Sequence, residues 1–197
     1  MKPQAPAPAG PHAEPTAPSP WIGRFAGLVP QGGAVLDLAA GGGRHAKLFL
    51  ERGHPVVAVD RDIGELGRLS HPALTVLQAD LEAAPWPLGG RQFAGVIVTH
   101  YLHRRLLPLL VEAVAEGGAL LYETFADGNA EFGRPRNPDF LLRPGELLEA
   151  VRGRLWVVAY EHGRFERPRP AVIQRIAAVG DPSPRLIRAI DPAPQNA

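Results

Sequence analysis

Apolar runs and single acids alternate through the first half of the chain. Ala34-Val35-Leu36 and Leu38 form an apolar run interrupted only by Asp37, and the run stops at three consecutive glycines, Gly41 to Gly43. A helical pattern follows, with Ala46, Phe49 and Leu50 on one face and Gly53 placed to end it. A second run, Val56 to Val59, ends in Asp60. The pattern predicts strand, tight turn, helix and strand, with an acid at the carboxyl end of each strand. A helix precedes this unit: Ser19 is placed as N-cap, Pro20 as first helical residue, and Trp21, Phe25 and Leu28 share a face.

The remaining elements follow the same alternation. A poor helix with two glycines over 62–70 leads to a strand over 74–79 that ends at Asp80. Phe93 to Thr99 reads as a buried strand. Leu106, Leu109, Leu110, Ala113 and Val114 have helical spacing, and Pro108 fixes that helix's start near Arg105, because proline is tolerated only in a first turn. Gly117-Gly118 closes it before a strand over 119–125. A long connection, 126–143, carries no clear pattern. Pro144 then opens a helix bearing Leu147, Leu148 and Val151, and strands over 155–160 and 171–179 finish the pattern. The link between those last strands is too short and proline-rich for the helical crossover that parallel pairing needs, so they should pair antiparallel. The fold class is α/β: a doubly wound, mostly parallel sheet with an antiparallel last strand.

Glycines at a strand–helix turn let the backbone bend sharply and approach a ligand. Asp60 follows Asp37 by roughly 20 residues, the reach of a carboxylate that accepts from ribose hydroxyls. The unit therefore reads as a nucleoside-cofactor half-site. Gly41-x-Gly43-x-x-Ala46 formally satisfies the dinucleotide fingerprint, which is weak evidence alone. The frame Asp37-x-Ala39-x-Gly41-x-Gly43, within VLDLAAGGGRHAKLFLERGHPVVAVDRD, resembles the first motif of the class I S-adenosylmethionine (SAM)-dependent methyltransferases. Within that class it is most similar to small bacterial enzymes grouped with the tellurite-resistance methyltransferases. The antiparallel ending also suits their seven-stranded Rossmann-like sheet better than a dinucleotide-binding domain.

The resemblance implies SAM as cofactor and S-adenosylhomocysteine (SAH) as product. It implies that Asp37, Ala39, Gly41 and Gly43 hold the methionine end and Asp60 the ribose, with Arg61 beside it. It implies that Asp80 meets the adenine amino group and Leu81 the ring, with Thr99 at the end of the fourth strand. Position 39 is alanine where glycine is commonest in the family; alanine disfavours positive φ, so a negative φ is expected there.

The acceptor side is read from what leaves the fourth and fifth strands. His103 is the first choice for a general base, since histidine titrates near neutral pH, and Tyr101 would orient the acceptor or border the methyl group. His100, Arg104, Glu123, Thr124 and the loop's Asn129, Arg134, Arg136 and Asn137 are the candidate substrate wall. Each of these also reads as an ordinary loop hydrogen bond or surface charge. Methyl transfer requires no metal, and no ligand cluster with metal spacing is present.

Composition narrows the reading. The 197 residues allow one domain, expected over 19–179, with a loose proline-spaced tail over 1–18 and another over 180–197. The formal charge of +1 leaves no nucleic-acid footprint, and the absence of cysteine excludes disulfides, thiolate catalysis and zinc–thiolate sites. No run is long enough to span a membrane and no signal peptide is present, so a cytoplasmic location is expected. No pattern specifies an oligomeric state. The expected activity is methyl transfer to a small-molecule acceptor. The alternatives are a macromolecular acceptor, RNA or protein, docked by the arginine-rich loop, or a non-catalytic nucleoside-binding module.

Overall fold

A computed structural model describes residues 17–167 and 169–180. The expected tails therefore lie almost wholly outside the described residues.

Seven strands form one sheet: β1 (Val35–Leu38), β2 (Val56–Asp60), β3 (Leu74–Gln78), β4 (Phe93–Thr99), β5 (Val114–Phe125), β6 (Trp156–Phe165) and β7 (Ala171–Val179). Their order is β3-β2-β1-β4-β5-β7-β6. β1 to β5 pair in parallel, and β7 runs antiparallel to both β5 and β6. The antiparallel hairpin is as expected, because the link after β6 has no room for a crossover.

Strand residues point alternately to opposite faces, and each face has its own cover. Leu36, Leu38, Val57, Val59, Val96, Val98, Leu120 and Tyr122 build one core with α3 (Leu107–Glu112) and α4 (Glu146–Val151). Val35, Val56, Ala58, Ile97, Ala119 and Leu121 build the other with α1 (Pro20–Phe25) and α2 (Arg44–Glu51). At the start of α1 the Ser19 side chain accepts from the Trp21 amide, the expected cap. No helix among the described residues is long and apolar enough to cross a membrane.

Three local expectations change. The helix expected over 62–70 is only a 3₁₀ turn, Leu66–Arg68; Gly64 and Gly67 weaken any longer helix. The helix expected to reach Val114 stops at Glu112. Ala113 instead accepts from the Phe93 amide at 2.7 Å and Val114 pairs with Phe93, so the sheet recruits the end of the pattern. β5 is accordingly longer than expected. The connection over 126–143 is not featureless: it holds 3₁₀ turns at Asn129–Glu131 and Pro138–Phe140, and Ala126 bridges to Leu142 at its base.

Candidate functional site

The carboxyl ends of β1 and β2 are joined through backbone. Ala39, Gly41 and Gly43 have φ of 52°, 54° and 79°. The negative φ expected at Ala39 is therefore corrected: alanine takes the left-handed conformation, at a cost of about 1–2 kcal/mol. What holds it there is visible on both sides of the turn. Ala40 donates to Val59 at 3.1 Å and Gly43 donates back to Ala40 at 2.9 Å. Asp37 lies beneath the turn, 1% exposed, with Oδ2 accepting from the Ala46 amide at 2.8 Å. Burial pushes its carboxyl up to about 7, against the lowering effects of that amide and of Arg44. Asp60 is half-buried. Its Oδ2 accepts from Gly41 at 2.8 Å and its Oδ1 from Asp62 at 2.9 Å. Each carboxylate oxygen keeps a second acceptor position.

A buried chain of side chains runs beside the turn. His45, in the first turn of α2 and 1% exposed, accepts the Ser19 amide at Nε2, 3.1 Å away. The proton therefore sits on Nδ1, 3.4 Å from the Thr99 hydroxyl. Burial, then Arg44 and His100, bring His45 down to about 3, so it is a neutral imidazole. The Ser19 hydroxyl donates to Glu123 at 2.8 Å, Arg175 donates to Glu123 at 3.1 Å, and Arg175 also pairs with Glu161. The Arg175 guanidinium lies 4.7 Å from the centre of the Trp21 ring and 4.2 Å from that of Phe165. Glu123, a candidate for the substrate wall, is thus buried and engaged by Ser19 and Arg175. Thr99 is buried beside His45.

At β3, Asp80 is exposed. Its Oδ1 accepts from the Glu82 and Ala83 amides at 2.9 and 3.1 Å, which holds the carboxyl below its ordinary range. Leu81 is buried and Arg61 exposed.

The segment after β4 is pinned by β5. The His100 amide donates to Glu123 O at 2.9 Å, and the buried Tyr122 hydroxyl donates to Tyr101 O at 2.8 Å. His100 takes φ of 54° and stacks on Phe125, ring centres 5.1 Å apart. Left-handed backbone in a non-glycine residue concentrates at functional sites. His103 precedes the 3₁₀ turn Arg104–Leu106. Its carbonyl accepts from Leu106, and its side chain makes no cap hydrogen bond.

Arg104 is partly exposed, and its guanidinium is engaged within the chain. Its guanidinium donates to both oxygens of Glu146, at 2.7 and 3.0 Å, and to the carbonyls of Asp139 and Leu141, each at 2.7 Å. Burial works against the charge of Glu146, but the hydrogen bonds from Arg104 and from the Arg143 amide bring it below the ordinary range. Arg134 and Arg136 stand exposed on the loop, and Asn137 caps the Pro138–Phe140 turn through the Asp139 amide.

Sequence reasoning missed His45 and Gln174 and gave Asn129 to the substrate wall, whereas all three fasten these parts. His45 had a signal, since it lies on the apolar side of α2 next to Ala46 and one turn from Phe49. Gln174, wholly buried in β7, accepts the Leu147 amide at 2.8 Å and donates to Arg143 O at 2.9 Å. Its signal was a single amide within the apolar run of the last strand. Asn129, 1% exposed, accepts the Val172 amide and donates to Pro135 O, which ties the loop to β7.

No protein-family model matches the chain, and no curated protein sequence matches it either. Solved structures do. TehB from Haemophilus influenzae aligns with TM-score 0.61 at 18% identity, covering 78% of this chain and 59% of that one. The chain thus spans less than two thirds of the TehB chain. The Burkholderia thailandensis 1,6-didemethyltoxoflavin-N1-methyltransferase, solved with its acceptor and SAH, aligns with TM-score 0.63 at 22% identity, covering 82% and 77%. A SAM-dependent methyltransferase from Mesorhizobium loti aligns with TM-score 0.62 at 20% identity, covering 79% and 95%. The chain has the fold of SAM-dependent methyltransferases, including that of the tellurite-resistance group.

Proposed function

We propose that this chain is a SAM-dependent methyltransferase acting on a small-molecule acceptor. The observation that carries the reading is the turn itself. The turn after β1 has left-handed backbone at Ala39, Gly41 and Gly43, with Ala39 and Gly41 part-exposed; Asp60 accepts from Gly41 within it, and Asp37 accepts from Ala46 in the helix that follows. Open α/β sheets bind ligands at this crevice. The donor and acceptor set fits SAM: backbone of the turn for the amino-acid end, and the unused acceptor positions of Asp60 for ribose hydroxyls. Asp80, Leu81, Arg61 and Thr99 complete the cofactor wall. The acceptor side is built from His100, His103 and the loop bearing Arg134, Arg136 and Asn137.

When bound, the sulfonium supplies an activated methyl group, so this chain's residues mainly position and exclude water. His103, whose ring is not spent on capping, is the candidate to take a proton from the acceptor. The structural neighbour named as a 1,6-didemethyltoxoflavin-N1-methyltransferase and the near-neutral formal charge support the acceptor class.

Calorimetry of the full chain against SAM, SAH and NAD tests the cofactor. SAM and SAH should bind and NAD should not; tighter NAD binding overturns the reading. Asp60→Ala should weaken SAM by about ten- to a hundredfold, since it removes charge-assisted hydrogen bonds worth about 1.5–3 kcal/mol. Asp80→Ala should weaken it less.

A further inference from the structure

Among the described residues, the Tyr101 hydroxyl is the one buried side-chain polar atom without a hydrogen-bond partner. Such an atom costs free energy and calls for an explanation. Nothing about its placement is loose. The carbonyl of Tyr101 is held by Tyr122, and the preceding amide is held by Glu123. The ring packs on the core shared with α3 and α4.

The charged groups whose fields reach the hydroxyl are Glu82, Asp80, Arg61 and Asp60. All four sit at or just beyond the carboxyl ends of β2 and β3. They are the ends at which a nucleoside lies in an open α/β sheet. The charges felt by the hydroxyl thus come from the β2–β3 side of β4 in the sheet order β3-β2-β1-β4. Burial first, and then Glu82 and Asp80, push the phenol up to about 12, so it stays protonated and can act as a donor.

We propose that the Tyr101 hydroxyl belongs to the nucleoside half of the cofactor site, where it donates a hydrogen bond to the adenosine moiety, and not to the methyl-transfer end. This rests on SAM being the cofactor. It reassigns Tyr101 from the acceptor-orienting role that its position after β4 implied. It also accounts for the orphaned hydroxyl, since the missing partner is a ligand atom.

The test is Tyr101→Phe in the full chain, titrated calorimetrically with SAH and with 5′-methylthioadenosine, which keeps the nucleoside but lacks the amino-acid end. Both ligands should weaken by the same factor, about three- to tenfold for one neutral hydrogen bond. Ligand-free Tyr101→Phe should melt no lower than wild type, because only an unsatisfied oxygen is lost, while the upward shift in Tm given by SAH shrinks. A purely structural hydroxyl would lower the ligand-free Tm instead. Unchanged affinity for both ligands, or a loss confined to SAH, overturns the proposal while leaving the cofactor reading in place. Wild type that binds neither ligand sinks the cofactor reading and this proposal with it.

Discussion

The two ends of the site are built by different means. At the β1–β2 end, carboxylates hold backbone that is near in sequence: Asp37 holds Ala46, and Asp60 holds Gly41 and Asp62. At the β4–β5 end, side chains bind partners far along the chain. Arg104 reaches Glu146, Ser19 reaches Glu123, and Asn129 reaches Val172. The first end is a backbone shape preset by residues close along the chain. The second is assembled by tertiary packing, so its surface can differ between proteins that share the first.

The largest expected effect is chemical and lies at the variable end. With a protonated acceptor, His103→Gln should lower turnover by about 10²–10⁴-fold and leave SAM affinity intact. A loss under about threefold would remove His103 as the base and weaken the contrast between a binding end and a reacting end.

The next effect lies at the preset end, where Asp37 and His45 are buried with opposite linkage to pH. The folded-state value of Asp37 is raised from 3.8 to about 7. Its contribution to stability is therefore full below about 3.8 and is lost as pH rises to 7. That of His45 is lowered from 6.5 to about 3. Its contribution is full above about 6.5 and is lost as pH falls toward 3. Each full span is on the order of 4 kcal/mol. Denaturation from pH 4 to 8 should show Asp37→Asn gaining on wild type as pH rises and His45→Asn gaining as pH falls. Parallel curves for all three proteins would mean that neither group titrates differently on folding.

The smallest effect concerns the loop. Arg104→Ala removes the four hydrogen bonds that hold Asp139, Leu141 and Glu146, at a cost of about 1–3 kcal/mol. Amide exchange over 126–143 should quicken while the β1–β2 turn keeps its protection. If the turn also loses protection, the two ends are one cooperative unit and the comparison fails.

Local chemistry in the sequence determined the preset end. Continuous apolar runs, the glycine triplet and the acids ending β1 and β2 specify a strand–turn–helix–strand unit from residues within about one such unit of each other. The short proline-rich link after β6 likewise determined the direction of β7, because a crossover needs chain length. Tertiary structure decided the rest. It put Ala39 into a left-handed conformation that alanine alone disfavours, since the bond from Ala40 to Val59 fixes the chain beyond it. It drew Val114 out of a helical pattern into β5, because the edge of Phe93 needed a partner. It gave Arg104 and Glu123 partners far along the chain, Glu146 and Leu141 for the one and Ser19 and Arg175 for the other. A side chain's partners depend on which distant strands lie beside it, and propensity and periodicity carry no record of that.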